Sequence, residues 1–373
     1  MTFYFVIKGT IYFIFDGYII SYEKIILRPF RYLSPFFIFV LAIIGFKSHG
    51  LICWFVPIYI FFIIPILELI MKPVAENVGE EVEDQIRNDK FYDWILYTVV
   101  MLQYASLYLF LLYISGSSGF DLIGQIISMG ILCGTFGINV GHELGHRKSV
   151  FDQFLAKSLL LTSLYTHFFI EHNKGHHAHV ATGEDPSSAI LGQSIYSFWP
   201  QTVFGTYFKA WKINLAELKK KDLSFFSFQN EMLLFTCAQL ILIGIIGINF
   251  GLYPLCFFLI SATIGALLLE TVNYIEHYGL VRKRNPSGNF ERVLPKHSWN
   301  SNHLLGRLML FELSRHSDHH YLASRKYQVL RHHDDAPQMP TGYPGMIVLA
   351  LFPPLWFRVM NRQLKKYESI ISA

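Results

Sequence analysis

The chain has 373 residues, enough for one large domain or two ordinary ones. Of these, 52% are hydrophobic and only 16% are charged, whereas a typical soluble domain is about 25% charged. The formal net charge of +4 is too small to indicate binding to nucleic acid. Several apolar runs approach the roughly 20 residues that cross a bilayer, so the composition excludes an ordinary soluble enzyme and favours a polytopic membrane protein.

Six apolar segments are predicted to cross the membrane, which makes the fold class all-α and integral to the membrane. The spans are predicted at residues 32–46, 51–71, 94–114, 120–140, 232–248 and 255–275. Residues 1–31 precede them and are expected to form an interfacial helix or hairpin rather than a cleavable signal peptide. We divide the rest into a transmembrane bundle of residues 32–277, which carries an insertion at 142–230, and a cap of residues 278–373.

The distribution of basic residues predicts the orientation of the bundle. The loops at 47–50, 115–119 and 249–254 contain a single lysine between them, whereas the opposite helix ends are rich in Lys and Arg. Because basic residues accumulate on the cytoplasmic side, both termini and the histidine-rich segments are expected to face the cytoplasm of a bacterial inner membrane.

The stretch 154–170 is apolar and almost long enough to be a seventh span. A crossing here would place the histidines that follow it on the opposite side of the membrane from those that precede it. We therefore expect a helix that returns toward the cytoplasmic interface or lies along it.

Four short motifs contain most of the chemistry that the sequence reveals: HELGH at 142–146, EHNKGHH at 171–177, EH at 276–277 and RHSDHH at 315–320. Within each longer motif, histidines three to five residues apart can face one ion from a single helix. The candidate metal ligands are His142, His146, His172, His176, His177, His277, His316, His319 and His320. Nine neutral ligands exceed what one ion takes, so the sequence predicts two metal ions, and imidazole alone leaves iron, zinc and copper open.

Acidic and amide residues accompany these histidines. Ligand histidines commonly donate their second ring N–H to a carboxylate, so we expect four neighbouring acids to orient them: Glu143, Glu171, Glu276 and Asp318. Polar residues inside spans are functional candidates because they are costly in lipid. Asn139, Asn273 and Glu270 lie on the helix faces of His142 and His277 and are predicted to extend the polar site into the bundle.

The motifs also carry a resemblance to a known family. The segments HELGHRK, IEHNKGHHAHVATGEDPSSA, LLLETVNYIEHYGL, HSWNSNHLLGRLMLFELSRHSDHH and YQVLRHHDDAPQMPTGYPGM resemble those of the bacterial integral-membrane alkane 1-monooxygenases. The likeness runs from about residue 120 to 350. Xylene monooxygenase and the membrane fatty-acid desaturases are similar at a greater distance.

The resemblance implies a non-haem di-iron enzyme whose nine histidine ligands are those named above. It implies hydroxylation of the terminal methyl of medium-chain alkanes, with O2 as co-substrate. Electrons would come from rubredoxin, which is reduced by an NAD(P)H-dependent rubredoxin reductase. The four cysteines form no CxxC pair, in agreement with an electron donor that is a separate protein.

Two further sets of residues are weaker candidates. Alkane entering from the lipid phase would need a narrow apolar channel, and Trp54 and Phe55 in the second span could limit its length, although lipid-facing packing also explains them. Rubredoxins are acidic, so basic cap residues could guide one to the metals: Arg282, Lys283, Arg284, Arg325 and Lys326. The positive-inside rule already predicts basic residues on this side.

Three other functions are open from the residues. A membrane fatty-acid desaturase or hydroxylase, or a xylene-type hydrocarbon monooxygenase, would use similar histidine motifs. A membrane zinc protease could use His142, Glu143 and His146, but it leaves the other histidines unexplained. A metal-binding structural or transport protein is the third alternative.

Overall fold

The computed structural model describes residues 3–7, 10–15, 18–21 and 27–371. The first three segments form an antiparallel sheet of order β1-β2-β3, with strands β1 (Phe3–Ile7), β2 (Thr10–Phe15) and β3 (Tyr18–Ser21). Alternating apolar and aromatic residues, many of them β-branched, favour strands in this region. The sequence predicts an interfacial helix or a hairpin here; the structure has antiparallel strands, which agree with the hairpin and not with the helix.

From residue 27 onward, the regular structure of the described chain is helical. The helices are α1 (Pro29–Phe46), α2 (Gly50–Ile70), α3 (Glu80–Asn88), α4 (Lys90–Gly116), α5 (Gly119–Gly145), α6 (Val150–Leu161), α7 (Phe168–Glu171), α8 (Ile195–Lys220), α9 (Glu231–Phe250), α10 (Leu252–His277), α11 (Leu304–Met309), α12 (His316–Tyr321), α13 (Tyr343–Ala350) and α14 (Pro353–Ile371).

The predicted membrane-protein fold is confirmed. Six of these helices are long and apolar enough to cross a membrane, namely α1, α2, α4, α5, α9 and α10. Each overlaps one of the six predicted spans. The chain is therefore an integral membrane protein with a helical bundle.

The apolar stretch 154–170 is not one continuous helix. Helix α6 ends at Leu161, and the turn that follows contains Leu164 in the left-handed region, with φ of 52°. Helix α7 then begins at Phe168 and leads into the second histidine motif. Because the chain turns back instead of crossing, this motif lies at the same end of the bundle as the first one.

Glycines bring α5 and α10 into close contact. A Cβ atom on Gly265 would lie 2.5 Å from the Cβ of Cys133, and one on Gly130 would lie 2.5 Å from a methyl carbon of Ile264. Small residues permit such close approach of membrane helices. Both helices run toward the same end of the bundle, so the contact holds the histidines at their C-terminal ends close together.

Three helical segments are locally widened into π-helical turns: Tyr59–Ile63 in α2, Cys133–Ile138 in α5 and His172–His176 directly after α7. A π-turn inserts one extra residue, so it changes which side chains face the interior beyond it. All three turns contribute residues to the metal centre or to the cavity next to it.

A buried ion pair joins the first span to the cap. Glu312 accepts hydrogen bonds from the Arg307 Nε at 2.7 Å and from the Tyr32 hydroxyl of α1 at 2.8 Å. Arg307 also donates to the carbonyl of Val74, which follows α2. These contacts hold the segment before α12, which carries the last histidine motif, against the bundle.

We expect Arg307→Met to lower the free energy of unfolding by about 3 kcal/mol or more, because it leaves the Glu312 carboxylate buried with its nearest cation, Arg315, at 3.7 Å. Denaturant unfolding in detergent, followed by tryptophan fluorescence, measures the change. The matched control is Arg87→Met, which removes a partly exposed pair with Asp84 and should cost less than about 1 kcal/mol. Equal losses in the two variants would contradict the anchoring role of Glu312.

Candidate metal centre

Four separate parts of the chain converge at one end of the bundle. The C-terminal end of α5, the turn after α7, the C-terminal end of α10 and the short helix α12 together contribute all nine predicted histidines. Their ligating atoms form two groups, and within each group these atoms lie within 4.8 Å of one another. The C-terminal ends of α5 and α10 also direct their partial negative charge toward this region, which favours cations.

The first group contains five histidines. The Nε2 atom of His319 lies 2.9 Å from that of His142 and 3.1 Å from that of His177. The Nε2 atom of His172 lies 3.0 Å from that of His177 and 3.1 Å from that of His146. His146 and His177 are partly exposed, and the other three are buried. This group therefore reaches the protein surface.

The second group contains four histidines, all buried. The Nε2 atom of His320 lies 2.8 Å from that of His316 and 3.2 Å from that of His176. The Nε2 atom of His316 also lies 3.2 Å from that of His277. Each of these side chains is at most 6% exposed, so the second group is closed off from solvent.

Two of the histidine motifs contribute to both groups. The π-turn His172–His176 directs His172 and His177 into the first group and His176 into the second. Helix α12 directs His319 into the first group, whereas His316 and His320, one helical turn apart, enter the second. The two groups are therefore coupled through the backbone and are not independent sites.

The chemistry of the donors fits metal binding. Burial, together with the nearby His176, lowers the pKa of His146 to about 3, and burial likewise lowers the pKa values of His172, His319 and His320 well below the usual range. These imidazoles are therefore neutral and present lone pairs. Several converging lone pairs at about 3 Å repel one another unless a proton or a cation lies between them. A cation bound by each group satisfies all of them at once.

Asp185 is a residue that the sequence analysis did not single out. One of its carboxylate oxygens accepts from the Nδ1 of His176 at 2.8 Å and from the hydroxyl of Ser188 at 2.6 Å. Its other oxygen accepts from the backbone N–H of Ser187. This is the arrangement in which a carboxylate orients a ligand histidine. The sequence feature that could have indicated this contact is the GEDPSS segment at 183–188. It follows the second motif closely enough to fold back onto it.

The four acids predicted for this role have other partners among the described residues. Glu143 contacts Arg147 and the backbone N–H of Tyr327, each at 3.4 Å. Glu171 lies 3.2 Å from the ammonium of Lys209. These two carboxylates stabilise the helices that carry the histidines and do not bond to the rings. Adjacency in sequence failed as a guide because consecutive helical residues point about 100° apart.

Asp318 and Glu276 complete the set. Asp318 pairs with Arg325 and with His333, whose Nε2 lies 2.7 Å from its Oδ1. Glu276 approaches the second group from the metal side, because its Oε2 lies 3.1 Å from the Nε2 of His316. Its Oε1 accepts from the hydroxyl of Tyr343 at 2.7 Å. Glu276 is therefore placed to add a carboxylate to the second group.

The three polar residues predicted below the site differ in their surroundings. Asn139 and Asn273 both line a small cavity against the histidines. Glu270 is fully buried and accepts hydrogen bonds from Tyr165, Thr202 and Asn273. It supports the fold around Asn273 and does not line that cavity.

An apolar cavity adjoins the metal centre. Its volume is about 50 Å³. It shares four lining residues with the small cavity against the histidines, so the two are contiguous; these are Asn139, Leu269, Val272 and Leu313. The π-turns of α2 and α5 contribute four further lining residues, namely Ile60, Phe61, Gly134 and Thr135.

Trp54 and Phe55 do not line this cavity. The indole N–H of Trp54 donates to the carbonyl of Phe120 at 3.0 Å, and the two rings stack with centroids 5.0 Å apart. Phe55 is exposed on the side of the bundle. These contacts agree with the packing alternative, and a role in limiting channel length stays a prediction.

Only part of the predicted basic surface is exposed. Arg282 is buried and donates to the backbone carbonyls of residues 178, 180 and 291. Arg325 and Lys326 are paired with buried carboxylates. Lys283 and Arg284 are exposed, and Arg284 pairs with the surface residue Glu184.

Comparison with known proteins is consistent with this geometry. The fatty acid desaturase family matches residues 121–350, which contain all nine histidines. Alkane 1-monooxygenase 2 of Alcanivorax borkumensis is 38% identical to this chain over 90% of the chain and 88% of that protein. Alkane 1-monooxygenase 2 of Pseudomonas aeruginosa is 43% identical over 84% of each.

A more distant relative is the hydroxylase component XylM of a xylene/toluene monooxygenase from Pseudomonas putida, which is 30% identical over 66% of this chain. The alkane enzymes are thus more similar to this chain, and over more of its length. From the histidine geometry, the apolar cavity and these relatives, we conclude that the chain belongs to the membrane-bound alkane 1-monooxygenases, within the fatty acid desaturase family.

Proposed function

We propose that this membrane alkane hydroxylase is a di-iron enzyme that converts the terminal methyl of medium-chain n-alkanes to a primary alcohol. The observation that carries the proposal is the position of two imidazole groups at the end of an apolar cavity within a membrane bundle. The overall reaction is RCH3 + O2 + 2 e⁻ + 2 H⁺ → RCH2OH + H2O. It requires a redox-active metal, so zinc does not suit it.

Iron is the metal that we propose for both groups. The five histidines of the first group would hold one ion, and the four histidines of the second would hold the other with the carboxylate of Glu276 beside them. When bound and reduced, the iron pair supplies the electrons and the open coordination that activation of O2 requires. Asp185 orients His176 for this role, and Tyr343 positions Glu276.

The cavity determines how the substrate is presented. An alkane has no polar group to recognise, so its position depends on the shape of an apolar cavity. Leu269, Val272 and Leu313 line the part nearest the histidines and exclude water from it. The amide of Asn139, which donates to the carbonyl of Leu310 at 3.0 Å, is fixed at this boundary. Alkane dissolved in the bilayer could enter without passing through water.

Electrons are proposed to come from rubredoxin, itself reduced by a rubredoxin reductase with NAD(P)H. The partial exposure of His146 and His177 supports entry of electrons at the first group, where the donor protein would bind. Lys283 and Arg284 are the exposed members of the predicted basic set and could guide an acidic partner. The positive-inside rule supports a cytoplasmic location for this surface in the bacterial inner membrane.

The proposal is tested in membranes that contain the chain together with a rubredoxin and its reductase, supplied with NADH and n-alkanes of graded length. We expect primary alcohols from the medium-length alkanes and two irons per chain by elemental analysis. His316→Ala should lose the alcohol product and lower the iron content, because it opens the second group.

Two results would contradict the proposal. Membranes with both irons bound and no primary alcohol from any alkane would exclude alkane hydroxylation by this centre. A new double bond in an acyl lipid, without alcohol from alkanes, would instead identify a desaturase.

Asp185→Asn should weaken iron binding by about 10- to 100-fold, because the second ring nitrogen of His176 loses its charged acceptor. Iron retained after dialysis against graded chelator gives the relative affinity. The matched control is Glu184→Gln, which changes the neighbouring exposed acid that pairs with Arg284. Equal iron retention in both variants would mean that Asp185 does not orient the ligand.

Val272→Phe should shorten the longest alkane that is hydroxylated, because Val272 lines both contiguous cavities. We expect at least about a tenfold loss of rate with the longest substrate of the parent enzyme, and a smaller loss with short alkanes. Leu240→Phe, on the exposed side of α9, is the control and should leave the length profile unchanged. Uniform loss at all lengths, with iron retained, would argue against this cavity as the substrate site.

A further inference from the structure

Helix α8 has two different faces. Its buried residues follow one another every three or four positions along one side, from Ile195 to Leu218. Through this face, Thr202 donates to the carboxylate of Glu270, and Lys209 pairs with Glu171 beside the second histidine motif. These contacts fix the rotation of α8 about its own axis. They therefore also fix the direction in which its opposite face points.

The opposite face of α8 carries a stripe of exposed apolar side chains. Phe204 is 62% exposed and Phe208 is 65% exposed, and Tyr207 and Leu215 are also exposed on this side. Phe208, Trp211 and Leu215 follow Phe204 by four, seven and eleven residues. Residues at this spacing lie on one side of an α-helix. A soluble surface would not retain such a stripe without a partner.

The loop after α8 extends this apolar surface. Phe226 is 81% exposed and Phe228 is 90% exposed. The loop is nevertheless well held, because the Asn230 side chain donates to the carbonyl of Phe225 at 2.8 Å and the Phe225 ring stacks on Trp211. These contacts hold the loop in a conformation that directs the side chains of Phe226 and Phe228 outward.

The position of this loop relative to the membrane is set by the span that follows it. Phe228 lies three residues before Glu231, where α9 begins, so it is within about 11 Å of the start of a spanning helix. The polar layer on each side of the hydrocarbon core is about 5–7 Å thick, so a residue at most about 11 Å from the start of the span lies in this layer or next to it. The exposed aromatic rings are thus continuous with the lipid-facing surface of α9.

Three consecutive lysines stand between the stripe and the loop. Lys219, Lys220 and Lys221 are exposed, and none of the ion pairs among the described residues involves them. Lys221 donates only to the neutral amide of Gln229. In contrast, Glu217 in the same region is paired with Lys174. The lysines therefore present positive charge next to an apolar surface, which is the pattern of elements that lie in the plane of a membrane.

We propose that α8 and the loop up to Phe228 lie in the interface of the bilayer and bind anionic phospholipid. The aromatic rings of Phe204, Phe208, Phe226 and Phe228 insert at the level of the acyl chains nearest the headgroups. The three lysines bind lipid phosphates. An acidic protein would neutralise the lysines but would leave the apolar stripe, next to a membrane span, exposed to water. Anionic lipid neutralises the lysines with its phosphates and covers the stripe with its acyl chains.

The test places a fluorescent nitrobenzoxadiazole label at Phe228→Cys, in a chain whose two exposed cysteines, Cys237 and Cys256, are replaced by serine. The protein is reconstituted into nanodiscs of phosphatidylcholine containing a minor fraction of phosphatidylglycerol. We expect blue-shifted emission that iodide in the water does not quench. Phosphatidylglycerol with a doxyl group near the headgroup should quench it more strongly than the same amount of doxyl-phosphatidylcholine.

Two matched variants complete the design. Replacing Lys219, Lys220 and Lys221 together by glutamine should remove the preference for the anionic quencher, to which each lysine contributes up to about fivefold. A label at Ser287→Cys, on an exposed loop of the cap, should be quenched by iodide and not by doxyl lipid. The readout is fluorescence, so it does not depend on the metals or on the reaction proposed above.

Three outcomes are distinguishable. Quenching of the Phe228→Cys label by iodide and not by lipid would overturn the proposal and leave this surface free for a protein partner. Equal quenching by the two doxyl lipids in the parent chain would overturn the binding of anionic lipid. Preference for the anionic quencher that survives the triple lysine variant would overturn the role of these lysines.

Discussion

The structure depends on one electrostatic constraint: nine imidazoles are held with their ring nitrogens converging, and burial keeps most of them neutral. Without cations, such convergence is unfavourable, so the surrounding protein must hold it. It does so with the close contact of α5 and α10 at Gly130 and Gly265, and with the buried ion pair of Arg307 and Glu312 next to the last motif. The fold stabilises the geometry of the donors, and bound metal would offset their repulsion.

Local deviations from the ideal helix perform the fine placement. In a regular α-helix, His176 would lie near the face of His172, and His177 would point about 100° away from His176. The π-turn at His172–His176 instead places His172 and His177 in the first group and His176 in the second. The other two π-turns lie where α2 and α5 line the apolar cavity. The widened turns thus occur where the bundle must accommodate something other than its own side chains.

The membrane spans and the converging histidines could be predicted from sequence because both leave strong patterns in it. Six apolar runs predicted six spans, and nine histidines in four motifs predicted the nine that converge. Contacts that depend on side-chain direction could not be predicted in the same way. Adjacency suggested Glu143 and Asp318 as partners of ligand histidines, yet helical rotation directs Glu143 to Arg147 and Asp318 to Arg325. Asp185 was missed because its approach to His176 depends on a loop that no periodicity describes. Before residue 22 the sequence left a helix and a hairpin open, because short apolar segments near a membrane suit both, and the structure has antiparallel strands there.

The unequal exposure of the two histidine groups has a consequence for how dissolved reagents reach them. His146 and His177 present partly exposed edges in the first group, whereas all four histidines of the second group are buried. A histidine-modifying reagent in water can therefore contact the first group in the folded chain, but it reaches the second group only when the surrounding helices open. The two groups then differ in the rate at which they are modified, although both belong to one centre.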